Sequence, residues 1–442
     1  MPRYCTTALM ALAAWGLIWI APVRADDTAD MHAEISKLKS ELESLSRQDA
    51  AELESAIESY LAETDSWKGA QGEDKWSAIT MGAAVTAVNQ NTLALDPGNK
   101  SVVNGRVDFW FNFNVAEGLE IHIELLGATG GTFPAEFPLD QGGFGPPATL
   151  AGAFDGIGVN STVSTRPLGG VQVREAFIRY AYAAGNTTLN WELGMVDPRD
   201  RFLQNAFMSN QYTGFMHNQF KDASAISWAT NGFSSVPGAG ASPTILSLYG
   251  WVSFGQDDAF TVSYGWFNTP GTFFDSGQLY VQLGWKGQVR GREMNVQLMW
   301  VYDNAYNKLI GNGEDADNQW GASWDWMASD NIGLFFRIAG NTESTNFVES
   351  SAAFGLVYTD IGARKDEAGL AIGYVKGNPE SLIGALPEDT EWSLELYYKF
   401  MLADGKFQIT PNLIYVADPG GGGLAWEDDS LFILGVRFYV PF

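Results

Sequence analysis

The chain has 442 residues, and its 26 basic and 52 acidic side chains give a formal net charge of −26. This acidic balance weighs against nucleic acid as a partner. The chain has only three histidines and one cysteine, Cys5, so we predict no transition-metal site and no cofactor.

The N-terminal residues 1–25 have the pattern of a secretory signal peptide. Arg3 precedes an apolar run that extends from Ala8 to Ile20, and small residues lead up to Ala25. The apolar run has about 13 residues, too few for a membrane span, which needs about 20. Cleavage after Ala25 would remove Cys5 and leave a mature chain without cysteine.

Residues 26–66 have helical periodicity. The apolar residues Ile35, Leu38, Leu42 and Leu45 form a narrow seam between polar flanks, which is typical of a coiled coil. We therefore predict a periplasmic coiled-coil helix and expect it to make the protein a homotrimer. A helix packed against the main domain is the alternative. The polar residues 67–75 are predicted to be a linker.

From residue 76 to the C-terminus the apolar period is two, which is typical of β-strands. Residues 107, 109, 111 and 113 are apolar, whereas Arg106, Asp108 and Asn112 lie on the opposite face. The last strand repeats this pattern, since its even-numbered residues from Phe432 to Phe442 are apolar and Arg437 lies on the other face. A soluble β-sandwich would show the same alternation, so the period alone does not decide the fold.

The connections between the predicted strands separate these two folds. Short turns such as 116–118, 183–186 and 403–406 alternate with long loops rich in glycine, proline, asparagine and aspartate. This alternation is typical of transmembrane β-barrels, in which the apolar face contacts lipid and the polar face lines the lumen. We therefore predict an all-β fold, a 16-stranded antiparallel barrel in the outer membrane over residues 76–442. The strands are predicted to start near residues 76, 104, 118, 171, 187, 245, 259, 278, 291, 319, 331, 351, 367, 390, 406 and 430.

Two stretches of the sequence resemble the carbohydrate-selective porins of the OprB type. The C-terminal stretch is "TEWSLELYYKF…LFILGVRFYVPF", and the second runs from "REAFIRYAY" to "TGFMHNQF". Met195 and His217 depart from the family pattern. The matching positions are Glu391, Glu395, Gln408, Pro411, Tyr415, Pro419, Gly420, Gly435, Arg437 and Phe442 in the first stretch, and Glu175, Tyr180, Gly194, Asp197, Phe202, Asn205, Phe207, Phe215 and Phe220 in the second.

The resemblance implies an outer-membrane porin for passive diffusion of small hydrophilic solutes, including sugars. It also implies that loop 198–243 folds into the barrel and that Phe442 resembles a signal for the barrel-assembly machinery. Charged side chains and aromatic faces such as Phe177 could bind sugars, although the charges could instead pair with each other. The candidate pore-lining residues are Arg179, Glu175, Glu192, Arg106, Asp108, Glu391, Glu395, Lys399 and Arg437.

Two other functional classes have less support in the sequence. An enzyme is not predicted, because the sequence lacks the zinc-protease, nucleophile-elbow and phosphate-loop motifs. A structural role is the alternative, in which the coiled coil tethers the outer membrane to the cell wall and the pore is an incidental, non-selective ion pathway.

Overall fold

The computed structural model describes residues 79–93, 101–130, 171–208, 213–221, 223–226, 228, 246–255, 258–268, 277–304, 316–342, 348–378, 390–418 and 430–442. The chain divides into two compact units, Met1–Ser77 and Ala78–Phe442, and all of these residues belong to the second unit. The predicted signal peptide (1–25), coiled-coil helix (26–66) and linker (67–75) lie outside the described residues.

The second unit is a closed barrel of sixteen antiparallel strands, as the sequence predicts. The strands are β1 (Ile79–Leu93), β2 (Ser101–Ala116), β3 (Leu119–Gly130), β4 (Val171–Ala184), β5 (Thr187–Met195), β6 (Ser247–Phe254), β7 (Phe260–Asn268), β8 (Gly277–Val289), β9 (Arg292–Asp303), β10 (Asp317–Met327), β11 (Ile332–Asn341), β12 (Val348–Ile361), β13 (Asp366–Gly377), β14 (Thr390–Leu402), β15 (Phe407–Ala417) and β16 (Ser430–Pro441).

Each strand pairs with its neighbours in the sequence, and β1 closes the barrel against β16. Their register places Ala84 opposite Pro441 and Leu93 opposite Phe432. Beyond the last strand, Phe442 continues the pairing, because its N–H donates to the carbonyl of Ala83 at 2.7 Å. Closure leaves no strand edge, which is the condition for a sheet to span a bilayer.

Alternation along the strands separates an apolar exterior from a polar interior. In β2, the Phe109 ring is 43% exposed on the outer surface, whereas the adjacent Asp108 is fully buried inside. The exposed large side chains of the other strands are likewise apolar, among them Leu283, Leu298, Leu396 and Leu434. An apolar exterior over a charged interior is the arrangement of a transmembrane barrel.

Tight turns join alternate strand pairs, and one of them requires glycine. Gly118, between β2 and β3, has φ +72°, and a Cβ at this position would collide with the carbonyl oxygen of Ala181 on β4. The helices that lie entirely within the described residues are α1 (Asn218–Lys221) and two single-turn 3₁₀ helices, Pro198–Asp200 and Ala403–Gly405. None of the helices in this part of the chain is long and apolar enough to cross a bilayer.

Candidate functional site

The segment between β5 and β6 lies inside the barrel. We call its described residues 196–208, 213–221, 223–226 and 228 the inward loop. Leu203 N–H donates to the side-chain oxygen of Gln282 on β8 at 2.7 Å. Arg337 on β11 donates to the carbonyls of Leu203 at 2.8 Å and Lys221 at 2.9 Å. These contacts with lumenal side chains confirm, for the described residues, the predicted inward fold of loop 198–243.

Two of the predicted pore-lining residues hold this loop instead of lining a pore. Glu395 accepts the N–H groups of Met216 at 2.7 Å and His217 at 2.9 Å, one on each carboxylate oxygen. Arg437 donates to the carbonyls of Gly214 at 3.3 Å and Phe215 at 3.1 Å. Both side chains are fully buried, and in the structure they contact the inward loop. The strand period correctly placed them on the inner face, but it carries no information about what covers that face.

Apolar side chains of the inward loop pack on strands β6–β8 and on β14. Phe202 contacts the rings of Tyr249, Phe267 and Tyr280, with the Tyr280 ring centroid 5.0 Å away. Phe215 packs edge-on against Tyr397 at a centroid distance of 4.8 Å. A hydrophobic core therefore fills the lumen beside these strands.

The inner faces of β2–β5 and the first residues of the inward loop carry two sets of ion pairs. The hydrogen bond from the N–H of Asp197 to Glu175 links the two sets, and we call them together the charged wall. Its members are Arg106, Asp108, Glu120, Glu124, Arg174, Glu175, Arg179, Glu192, Asp197, Arg199, Asp200 and Arg201.

Arg179 and Glu175 both lie on β4, and each pairs with other residues. Arg179 donates to Glu192 at 2.7 and 2.9 Å and to Glu120 at 3.1 Å. Glu175 accepts the N–H of Asp197 at 2.7 Å, and its second oxygen lies 3.4 Å from Arg201. In the structure, therefore, these lumenal charges pair with each other, which is the alternative to charges that are free to bind sugars.

The aromatic ring expected to stack on sugars is also covered. Phe177 is only 3% exposed. The guanidinium carbons of Arg179 and Arg201 each lie 5.3 Å from its ring centroid, and the His122 ring stacks on it at 4.7 Å. Phe177 therefore supports the cations of the wall, and its ring faces are not open to a solute.

The remaining predicted residues are paired or buried on the inner face. Arg106 forms a forked pair with Asp108, with its Nε 2.7 and 2.9 Å from the two carboxylate oxygens. Lys399 pairs with Glu367 at 2.8 Å, and Glu391 is 1% exposed. Pairing of this kind stabilises the wall and reduces the number of charges that a solute can contact.

Arg174 is a member of the wall that the strand period misses. Strict alternation from Glu175 would direct Arg174 to the lipid face. A register shift between β3 and β4 at this point places Glu124 opposite Glu175 and Leu125 opposite Val173, so Arg174 is the extra residue of a β-bulge. Its guanidinium turns inward, donates to both oxygens of Glu124 at 2.8 and 3.0 Å, and contacts Asp200.

The first turn of the inward loop is fixed by Asp197. Its carboxylate accepts the backbone N–H of Arg199 at 2.9 Å and caps the 3₁₀ turn Pro198–Asp200. Burial acts to raise the pKa of this carboxyl, but Arg199 and Arg174 outweigh burial and hold the pKa well below its usual range. Asp197 is therefore charged at any physiological pH and keeps the loop attached to the wall.

Comparison with known proteins agrees with this architecture. Residues 300–442 match the family model of the carbohydrate-selective porin, OprB family. The match covers the end of β9 and all of β10–β16, and it confirms the C-terminal resemblance to the OprB type. Among curated proteins no sequence matches the chain.

Solved OprB structures have the same fold. The high-pH structure of Pseudomonas putida OprB is similar with a TM-score of 0.63 and 16% identity, over 85% of this chain and 97% of that chain. The low-pH structure of the same protein gives 0.52 and 13% identity, over 85% and 96%. At these identities the likeness establishes the fold, and the arrangement of the wall stands on the contacts described above.

Proposed function

We propose that this protein is an outer-membrane porin through which small hydrophilic solutes, including sugars, diffuse passively. The observation that carries the proposal is the closed sixteen-stranded barrel with an apolar exterior and a charged interior. Barrels of this strand number enclose an aqueous channel. The OprB family match and the barrel fold are those of a channel and favour this function over an enzyme.

The inward loop favours an eccentric path for solutes. It packs against strands β6–β16 through hydrogen bonds and apolar contacts, which would direct solutes along the charged wall. Three wall side chains stay partly open, since Arg179 is 34%, Asp200 27% and Glu120 24% exposed. Guanidinium donors and carboxylate acceptors can both hydrogen-bond to sugar hydroxyls. We propose these three groups as the solute contacts, with Arg179 as the main one.

Liposome swelling with a series of neutral sugars tests this proposal, using Arg179→Ala and a matched control. The control is Arg292→Ala, because Arg292 has a similar 32% exposure and pairs with Asp330 at the short-turn end of β9. We expect Arg179→Ala to change the ratio of swelling rates between sugars, whereas Arg292→Ala leaves the ratio of the parent protein. If liposomes that contain the folded barrel do not swell with any of the sugars, the porin proposal is ruled out. If both variants keep the parent's ratio of swelling rates between sugars, the porin proposal stands but Arg179 is excluded as a selectivity residue.

The N-terminal region is part of the same proposal. Residues 1–25 would direct export, and residues 26–66 would form a periplasmic coiled coil that joins three barrels. Lipid would surround the barrel, and the assembly machinery would recognise Phe442. Deletion of residues 26–66 separates this function from a cell-wall tether. A porin keeps its swelling rates and loses trimers in crosslinking, whereas a tether loses envelope integrity.

A further inference from the structure

Three potential metal ligands meet in the charged wall. They are His122 and Glu124 on β3 and Glu175 on β4, and one ligand atom from each lies within 4.8 Å of the other two. The sequence predicts no such site, since its three histidines are far apart along the chain. The barrel brings the residues together because β3 and β4 are adjacent strands and the bulge at Arg174 changes their register.

The hydrogen bonds of His122 orient one ring nitrogen towards the carboxylates. Nδ1 lies 2.6 Å from the side-chain oxygen of Asn112, whose amide nitrogen donates to Thr80 at 3.3 Å. This arrangement assigns the ring proton to Nδ1 and leaves the lone pair on Nε2. The stack on Phe177, with 20° between the ring planes, holds the ring in this orientation. A second hydrogen bond of this kind is typical of metal-binding histidines.

The Nε2 lone pair faces a carboxylate oxygen. This nitrogen is buried, has no hydrogen-bond partner among the described residues, and lies 3.8 Å from Oε2 of Glu175. The other oxygen of Glu175 accepts the N–H of Asp197, so Oε2 is the oxygen directed at His122. Oε2 also accepts a hydrogen bond from Arg201 at 3.4 Å, whereas Nε2 is a buried acceptor without a partner among the described residues. A buried acceptor of this kind is unfavourable unless an electrophile binds to it.

The wall as a whole carries a formal excess of negative charge. Its described members include seven carboxylates and five guanidiniums, a formal excess of two negative charges with His122 neutral. A divalent ion would balance this excess. Glu124, which already shares its oxygens with Arg174, is the third potential ligand.

We propose that His122, Glu175 and Glu124 bind one divalent metal ion with zinc-like ligand preference. One imidazole and two carboxylates form a nitrogen–oxygen set that suits zinc, with a fourth position open to water. Zinc bonds to these atoms are about 2.0–2.2 Å long, which places tetrahedral ligands about 3.4 Å apart. The observed 3.8 Å between Nε2 and Oε2 therefore requires only a small contraction. The bound ion would cross-link β3 to β4 beside the inward loop.

Titration calorimetry with zinc chloride tests the site on the full-length protein, purified in detergent and treated with a chelator. We expect one zinc ion per folded chain. His122→Asn and Glu175→Gln should each weaken binding at least tenfold. Asn112→Ala should weaken it about 10- to 100-fold, because the metal ligand loses its orienting partner. The matched controls are His32→Asn and His217→Asn, which remove the other two histidines and should keep the affinity of the parent protein.

Folding is checked for each variant by the heat-modifiable mobility of the barrel in electrophoresis. If His122→Asn does not assemble, the parent protein and Asn112→Ala decide the question. Absence of zinc binding to the folded parent protein would overturn the proposal. The proposal would also be overturned if His32→Asn lowered the zinc affinity and Asn112→Ala did not. Neither result bears on the porin function, which swelling measures separately.

Discussion

The Glu395→Gln substitution tests whether lumenal carboxylates hold the inward loop. Each oxygen of Glu395 accepts one backbone N–H of the loop, at 2.7 Å from Met216 and 2.9 Å from His217. Asn412 on β15 donates to the first oxygen at 2.9 Å. Glutamine has the same shape but only one acceptor oxygen, so one loop N–H loses its partner and the other loses a charge-assisted bond.

The size of the effect follows from these two bonds. A hydrogen bond to a charged group contributes about 1.5–3 kcal/mol, and a neutral one about 0.5–1.5 kcal/mol. Loss of one bond and weakening of the other together cost about 3 kcal/mol, which corresponds to about a hundredfold change in an equilibrium constant. The fraction of protein in which residues 214–217 are detached should therefore rise about a hundredfold.

Cysteine labelling measures this detachment. Met216 is fully buried, and the only native cysteine is Cys5 in the predicted signal peptide. In a Met216→Cys background, a thiol reagent reacts only when the loop opens, so its rate reports the open fraction. We expect Glu395→Gln to raise the labelling rate about a hundredfold.

Glu120→Gln provides the matched control for this experiment. It removes the same charge from the lumen, but Glu120 lies on the charged wall, where it accepts a bond from Arg179 at 3.1 Å. Its labelling rate should equal that of the parent. Equal rates in Glu395→Gln and Glu120→Gln would refute the assignment of Glu395 as a loop anchor.

Three further predictions concern the lipid face, the C-terminus and pH. Phe113→Ala on the outer face of β2 should lower the unfolding temperature of the barrel and leave sugar ratios unchanged; altered ratios would contradict the lipid-facing assignment. Deletion of Phe442, whose ring is 73% exposed beyond β16, should reduce the amount of assembled barrel without blocking export, as quantified in outer-membrane fractions. Burial, together with Lys221, lowers the pKa of His217 to about 3 in the attached loop. Between about pH 6.5 and 3, His217 is therefore protonated in the detached loop and neutral in the attached loop. Loop attachment should thus be fully present above pH 6.5 and weaken by about 1.4 kcal/mol per pH unit below it. In the Met216→Cys background, the labelling rate is measured with and without His217→Gln. The ratio of the rate without this substitution to the rate with it should rise from pH 7 to pH 5. A constant ratio would exclude the linkage between His217 protonation and loop opening.

The sequence by itself determined the barrel, its strand number and the two faces of each strand. These features depend on local geometry, because side chains alternate along any extended chain and turn residues mark where a strand ends. All sixteen predicted strands are present, and Arg106, Asp108 and Arg179 lie on the inner face where the period places them.

Tertiary structure decided which inner residues remain open to a solute. Arg179 and Arg437 both lie on the inner face by the strand period, yet Arg179 stays partly exposed while Arg437 binds loop carbonyls and is buried. The bulge at Arg174 and the meeting of His122 with Glu175 likewise depend on how β3 pairs with β4. The physical reason is the distance along the chain between partners. Arg337 binds the carbonyl of Leu203 across 134 residues, and no local pattern records a contact that only closure of the barrel creates.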